Sequence, residues 1–280
     1  MKKFATVSII GMPNAGKSTL LNYILGRKIS IVTYKPQTTR NLIKGILTKD
    51  ECQIAFLDTP GILQGSCGIE KIMVKNIMLG IYSSDIIIVL IAVNTKDLNL
   101  SLNSIKKLLI KATSQVIFVI NKIDIFSDEE IERVKEAIVL AGFQNEILLI
   151  SAHRGKGIAQ LITNLQDKCR EQSWLYAEEE ISNNSKAFMA SELTREILLL
   201  VLKQELPYNL NVATDGWEES DDGKITISQI ISVPKESHKA IIIGKKGSML
   251  VNIGQKAREN INQAFGIKCY LKLFITVEKR

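Results

Sequence analysis

Gly11-Met12-Pro13-Asn14-Ala15-Gly16-Lys17-Ser18 reads G-x-x-x-x-G-K-[ST] without a break. The apolar run Ala5 to Ile10 leads into it, and Thr19-Leu20-Leu21-Asn22-Tyr23-Ile24-Leu25-Gly26 follows as a helical stretch closed by glycine. Strand, loop and helix in that order are the setting in which this octapeptide cradles phosphate. The glycines let backbone N–H groups wrap round phosphate oxygens, and the helix N-terminus adds positive potential. Lys17 reaches the terminal phosphates and the Ser18 hydroxyl can hold Mg²⁺, with Gly11, Asn14, Ala15, Gly16 and Thr19 completing the cradle. The plain alternative, a glycine turn with a solvated lysine, leaves the flanking strand and helix unexplained.

Working outward, short apolar runs alternate with helical patterns as far as about Arg170. The strand candidates are Thr6–Ile10, Leu42–Leu47, Gln53–Leu57, Ile86–Val93, Val116–Ile120 and Ile147–Ile150. Between them lie helical periods such as Ile158, Leu161, Ile162 and Leu165. The alternation predicts a doubly wound α/β sheet over residues 1–170. The run Ile86 to Val93 suits a buried parallel strand and is too short to span a bilayer. Met1-Lys2-Lys3-Phe4 imitates the start of a secretory leader, but the apolar stretch after it is short and runs straight into the phosphate loop. No leader or membrane span is expected, and the expected location is cytoplasmic.

A chain of 280 residues, 46% hydrophobic, is long enough for two domains and apolar enough for sizeable cores. Cys52, Cys67, Cys169 and Cys269 show no C-x-x-C spacing and are accompanied by only two histidines, His153 and His238. That argues against zinc and suits a reducing compartment better than a disulfide framework.

Residues 171–185 lose periodicity, with Glu178-Glu179-Glu180 and Ser182-Asn183-Asn184-Ser185, and are expected to be a linker. Beyond it, Met189, Leu193, Ile197, Leu200 and Val201 mark an amphipathic helix ending before Pro207. Tyr208, Leu210 and Val212 alternate as a strand, Asp215–Gly223 reads as a polar loop, and Ile225, Ile227, Ile231 and Val233 form a second strand. Helical segments flank Gly244–Gly247, and Ile267 to Val277 alternates with period two. Helix, strand, strand, helix, helix, strand is a small α+β domain over residues 186–280. The near-neutral balance of this half hides a polarity: residues 178–222 carry 11 acids and 3 bases, whereas residues 223–280 carry 11 bases and 3 acids. The overall charge of +7 therefore includes a basic C-terminal segment suited to an anionic partner.

Three further stretches fit the phosphate loop. Asp58-Thr59-Pro60-Gly61 follows the strand Ile54–Leu57; Asp58 can hold Mg²⁺ directly or through water, and the Gly61 amide can approach the γ-phosphate. Asn121-Lys122-Ile123-Asp124 follows Val116–Ile120. A carboxylate at Asp124 matches the adjacent N1–H and N2–H₂ donors of guanine, which adenine lacks. Lys122 can lie along the base, and Asn121 can tie this loop to the phosphate loop. Ser151-Ala152-His153 can present a backbone N–H to the guanine carbonyl. In the polar stretch Tyr34 to Arg40, a threonine hydroxyl can complete the Mg²⁺ shell when γ-phosphate is present; Thr39 is favoured over Thr38.

The ordered set Gly11–Ser18, Thr39, Asp58–Gly61, Asn121–Asp124 and Ser151–Ala152 resembles the translation-factor class of GTPases. It departs from Ras-type members, which place a water-orienting Gln after the D-x-x-G glycine. Ile62 stands there and can neither donate nor accept, so water must be positioned by backbone, by another residue or by a partner. Slow intrinsic hydrolysis is expected. A nucleotide-gated RNA-binding scaffold with negligible turnover is the rival reading. Asn14 matches, by resemblance, an Asn that holds K⁺ beside the phosphates in related GTPases; a loop-stabilising Asn is the alternative.

In the second half, Ile243-Gly244-Lys245-Lys246-Gly247 carries G-x-x-G between helical segments. The glycines admit nucleic-acid phosphates close to backbone, the two lysines supply charge, and the adjoining helix and strand can form a groove for about four unpaired bases. The order resembles a type II KH domain. A GTPase followed by such a domain resembles the Era family of bacterial ribosome-associated GTPases over nearly the whole chain. The likeness includes Phe188-Met189-Ala190-Ser191-Glu192, Glu205-Leu206-Pro207-Tyr208 and Ile253-Gly254-Gln255-Lys256-Ala257-Arg258. Met12 stands where the family usually carries Arg, and many members extend past the last strand, whereas this sequence stops at Arg280. The resemblance implies GTP and GDP with Mg²⁺ as ligands. It implies binding to the 3′ end of small-subunit ribosomal RNA and to the 30S subunit, with no DNA partner and with peripheral contact at the inner membrane.

Overall fold

β1 (Lys3–Ile10) is buried along almost its whole length, so it lies inside a sheet and not at its rim. A computed structural model describes residues 1–62, 68–221 and 223–278. It divides into two units, Met1–Ser30 with Thr39–Asn183, and Ile31–Thr38 with Asn184–Arg280. Cys67, Asp222 and Arg280 lie outside the described residues.

The first unit holds α1 (Lys17–Leu25), β2 (Ile43–Lys49), β3 (Cys52–Asp58), α2 (Gly68–Tyr82), β4 (Ile86–Ala92), α3 (Leu98–Leu109), β5 (Gln115–Asn121), α4 (Asp128–Leu140), β6 (Ile147–Ile150), α5 (Ile158–Lys168) and β7 (Arg170–Glu171). The sheet order is β2-β3-β1-β4-β5-β6. β3, β1, β4, β5 and β6 run parallel, β2 pairs antiparallel with β3, and β7 pairs antiparallel with Lys3 and Phe4. β4 is apolar and buried at every position, as a strand covered on both faces must be. Parallel pairing brings the carboxyl ends of β1, β3, β5 and β6 to one rim, where such sheets bind ligands.

Residues 172–183 are less a free linker than a strap along the first unit. The Tyr176 N–H donates to Gln53 Oε1 (3.1 Å), and Gln53 Nε2 donates to the Tyr176 carbonyl (3.0 Å). At the outer edge of β2 the Ile46 N–H donates to the Ile181 carbonyl (2.8 Å), and Ser182 Oγ donates to the Lys44 carbonyl (2.9 Å). Three of these four bonds use the segment's own backbone, which leaves no side-chain pattern, while its aromatic side chains add further contacts: Trp174 Nε1 donates to the Glu51 carbonyl (3.3 Å) and Lys44 Nζ donates to the Tyr176 hydroxyl (2.8 Å).

The second unit contains α6 (Lys186–Val201), β8 (Asn211–Glu219), β9 (Ile225–Val233), α7 (Glu236–Ile243), α8 (Ser248–Phe265) and β10 (Cys269–Val277). Its sheet order is β10-β9-β8, with β10 parallel and β8 antiparallel to β9. Tyr208 closes a 3₁₀ turn, Leu206–Tyr208, instead of starting a strand. β8 takes in much of the expected polar loop Asp215–Gly223, because an irregularity between Thr214 and Gly216 shifts the register there. The apolar core joins Ile197, Leu198 and Leu202 to Ile231, Val233, Ile242, Ile253 and Ala257. No described helix is long and apolar enough to cross a membrane.

Candidate functional site

The loop between β1 and α1 is shaped by Gly16, whose φ of 99° lies in the region that favours glycine. A Cβ there would stand 2.3 Å from Asn121 Nδ2. Lys17 is buried, and its Nζ donates to the Gly11 and Met12 carbonyls, 3.1 Å each. Burial lowers its pKa to about 8, against the charge of Asp58, which raises it. The loop thus holds a cation that its own carbonyls compensate only in part, and phosphate oxygens would complete the compensation.

Asp58 ends β3, fully buried. Its Oδ2 accepts from Ser18 Oγ (2.6 Å) and Ser30 Oγ (2.8 Å). Its Oδ1 is buried with no hydrogen-bond partner among the described residues. Burial raises the Asp58 pKa, opposed by Lys17, Ser18 and Ser30. Thr39 Oγ1 lies 3.0 Å from Ser18 Oγ, whereas Thr38 Oγ1 lies 2.6 Å from Thr33 Oγ1 and donates to the Lys35 carbonyl (2.7 Å). Of the two threonines, Thr39 is therefore the one at this cluster. Hard oxygen donors converging on an unsatisfied carboxylate oxygen fit Mg²⁺. Ser30, which completes the cluster, carried no motif in the sequence.

Asn121, at the end of β5, joins three loops. Its Nδ2 donates to the Ala15 carbonyl (2.8 Å), and its Oδ1 accepts from the Ala152 N–H (2.9 Å). Asp124 is exposed, and its carboxylate is held below the usual range chiefly by the Ser151 hydroxyl, with the Arg154 and His153 charges adding to it. Lys122 Nζ donates to Asn94 Oδ1 (3.2 Å), and burial lowers its pKa. The Ser151 N–H donates to the Lys156 carbonyl (2.9 Å) and the Ala152 N–H to Asn121. The Ser151 and Ala152 amides expected near a guanine carbonyl are thus engaged within the loops, and Ala152 would meet the base by sharing or exchanging its bond to Asn121.

Gly61 runs beside Pro13, and Ile62 is buried among Ile10, Ile77 and Ile81, with its N–H donated to the Gly11 carbonyl (3.1 Å). Neither its side chain nor its amide is left to orient water.

Ile31–Thr38 falls in the second unit, although Thr39 belongs to the first. Ile31 packs with Leu193 and Ile261, the Val32 N–H donates to Glu196 Oε1 (3.0 Å), and Arg195 donates to the Thr38 carbonyl (2.6 Å). Arg195 is buried and paired with Glu192, its Nε donating at 2.8 Å. Sequence periodicity assigns these charged residues of α6 to solvent; their partner segment is distant in sequence, so nothing local reveals it.

In the second unit, Gly244 (φ 71°, ψ 179°) ends α7, where a Cβ would stand 2.6 Å from Met249 Cβ. Lys245–Gly247 form a 3₁₀ turn, Lys245 and Lys246 are exposed, and α8 starts directly after. Ile243, the last residue of α7, is half-buried. Beside the turn, Leu250, Val251, Gly254, Gln255 and Arg258 of α8 face Leu271 and Leu273 of β10 across a cavity of about 270 Å³. A trough of leucine and valine side chains with Gln255 and Arg258 among them, and with basic residues at the turn, suits unpaired bases with their phosphates on the lysines.

Comparison with known proteins agrees with both halves. Residues 6–122 match the family model described as 50S ribosome-binding GTPase, and residues 205–280 match that of the KH domain. GTPase Era of Rickettsia bellii (strain RML369-C) is 41% identical over 280 residues, covering 100% of this chain and 94% of that protein. GTPase Era of Trichlorobacter lovleyi is 38% identical over 283 residues, 99% of this chain and 93% of that protein. A tyrosine-to-alanine variant of Aquifex aeolicus Era bound to GDP·AlF₄⁻ superposes with a TM-score of 0.89 at 33% identity, covering 99% of this chain and 94% of that one. Era in complex with MgGDPNP and nucleotides 1506–1542 of 16S ribosomal RNA gives 0.90 at 32% identity with the same coverage.

Proposed function

We propose a function from one premise: the chain belongs to the Era family of GTPases, with a GTPase domain followed by a KH domain. It is a GTP-hydrolysing switch whose KH domain binds the 3′ end of small-subunit ribosomal RNA and which assists assembly of the 30S subunit. The observation that supports this most is the pairing in one chain of a buried Asp58 Oδ1, unpartnered among the described residues next to Ser18 and Thr39, with a trough of mixed apolar and polar lining beside Lys245 and Lys246. The relative solved with 16S ribosomal RNA shares that whole architecture. Residues 1–170 would carry the nucleotide, and residues 186–280 the RNA. The reading assigns no DNA partner, and peripheral membrane contact, if made, needs no spanning segment.

GTP with Mg²⁺ supplies the phosphoanhydride to be cleaved and a charge that screens it. Lys17 and the amides of residues 14–19 neutralise the phosphate oxygens as charge develops on them. Ser18, Thr39 and Asp58 would hold the metal, and Asp124 with Lys122 would select guanine. Buried Ile62 contributes no group to the attacking water, which supports slow intrinsic turnover. Asn14, held at φ 61° in the phosphate loop, would place K⁺ beside the phosphates. Hydrolysis is then expected to be several-fold faster in K⁺ than in Na⁺ at equal ionic strength; equal rates of phosphate release would remove the ion from the account.

The test of the whole reading is the affinity for a 3′-terminal 16S RNA fragment with a GTP analogue and with GDP. A difference of about fivefold or more is expected for a switch, and identical affinities would refute one. Replacing Lys245 and Lys246 together by Ala is expected to weaken RNA binding about tenfold, and to flatten its log–log salt dependence by about 1.4 for two lost phosphate contacts. Filter binding across a salt series would show an unchanged slope if those lysines face away from the RNA.

A further inference from the structure

Cys52 opens β3 and Cys169 caps the end of α5, 117 positions apart in sequence, yet their Sγ atoms lie 2.9 Å apart. That is less than an ångström beyond the ~2.05 Å of a disulfide bond. Backbone pairing fixes both positions. Lys3 of β1 stands opposite Cys52 on one side and opposite Glu171, two residues after Cys169, on the other. Both thiols are buried, at 5% and 7% exposure, in the first unit. With both protonated, Cys52 donates to the Cys169 sulfur and Cys169 donates to the Leu165 carbonyl (3.3 Å).

We propose that Cys52 and Cys169 are a redox-modification site that closes reversibly to a disulfide, with hydrogen peroxide as the oxidant. The Cys52 thiolate attacks one oxygen of the peroxide; an S–O bond forms, the O–O bond breaks, and the departing hydroxide takes up the proton that Cys52 released and leaves as water, giving a sulfenic acid. The Cys169 sulfur then attacks the Cys52 sulfur; the S–S bond forms, the S–O bond breaks, and the departing hydroxide takes the Cys169 proton as water. The two thiols lose two electrons in all and one peroxide is reduced to two waters. Cys52 is the residue to react first. The Cys169 hydrogen bond, then the Lys3 charge, hold its thiol below the usual range against burial, whereas Cys169 is pushed far up by that same bond, by burial and by the charge on Cys52. Cys269 lies in the core of the second unit with its thiol raised chiefly by burial, and so makes an unreactive internal comparison.

The full-length reduced protein, treated with hydrogen peroxide, quenched by alkylation, digested and analysed by mass spectrometry, is expected to yield a peptide joining Cys52 to Cys169. It should be lighter than the two thiol peptides together by their two hydrogens, and dithiothreitol should restore the free thiols. The closed loop should also raise Tm by about 5–15 °C, since a cross-link of that span restricts the unfolded chain strongly. Peroxide-treated protein in which both thiols remain alkylatable, in which Cys52 goes to sulfinic acid unlinked, or in which either residue pairs with Cys67 or Cys269 instead, overturns the proposal. The peptide map of the unmodified sequence decides this without any variant having to fold; Cys52→Ser, where it folds, should lose both the linkage and the Tm shift.

Discussion

Replacing Asp124 by Asn is expected to lower the affinity for guanine nucleotides about 10³–10⁴-fold and to make xanthine nucleotides the better ligands. Asp124 is kept ionised by the Ser151 hydroxyl and by the nearby Arg154 and His153 charges. An ionised carboxylate offers two acceptors and no donor, which suits the adjacent N1–H and N2–H₂ of guanine. An amide in its place turns one acceptor into an NH₂ group, which faces the guanine amino group donor to donor. Xanthine carries a 2-oxo group at that position and accepts from the amide while its N1–H keeps the remaining carbonyl. Most of the discrimination thus comes from a repulsion introduced as well as an attraction lost. Competition between GTP and XTP for the purified variant is the measurement. Retained guanine preference would mean that the base lies against other residues.

The second large effect concerns Lys17, whose replacement by Met is expected to reduce GTP hydrolysis about 10²–10³-fold, the usual loss when one preorganised donor to a developing oxyanion is removed. The same substitution is expected to leave the nucleotide-free protein at least as stable. With its pKa depressed to about 8 from 10.5 by burial, the protonated Lys17 costs about 3 kcal/mol of stability. That cost is full below pH 8, where folded and unfolded chains both carry the proton, and fades as pH rises from 8 to 10.5. Phosphate oxygens beside the ammonium raise its pKa again. GTP affinity should therefore be level below pH 8 and fall as pH climbs through it, with binding taking up a proton in the alkaline range. Calorimetric titrations in buffers of different ionisation heat would read this uptake directly, and Lys17→Met should abolish it. A variant that kept the wild-type pH dependence would place the proton on another group.

How far these sites could be read from the sequence follows the distance over which each interaction acts. The phosphate loop and α1 are legible because every requirement, from the left-handed Gly16 to the Lys17 side chain, is met within a few residues. The parallel strands are legible because burial on both faces imposes apolar runs such as Ile86–Ala92. Ser30 on Asp58 was not, since it lies 28 positions away and belongs to no pattern. Arg195 on the Thr38 carbonyl, across 157 positions, and the Cys52–Cys169 pair are hidden for the same reason. Buried charges on α6 even mislead, because a pattern of apolar spacing assigns Glu192 and Arg195 to water. The irregularity near Asp215 shows the remaining failure: a register shift carries a strand through polar residues that read as loop.

The strap of residues 172–183 has a bearing on how the nucleotide-binding half can be produced alone. β2 is the terminal strand of its sheet, and the strap occupies hydrogen-bonding groups that would otherwise face outward at Lys44 and Ile46. Unpaired strand edges recruit the edges of other molecules. A fragment ending at Arg170 would present a sticky flank and is expected to self-associate in light scattering at concentrations where a fragment carried through to Asn183 stays dispersed. The acidic run Glu178-Glu179-Glu180 would then act as a built-in gatekeeper against intermolecular sheet growth, a solubility device carried in what composition alone presents as a tether.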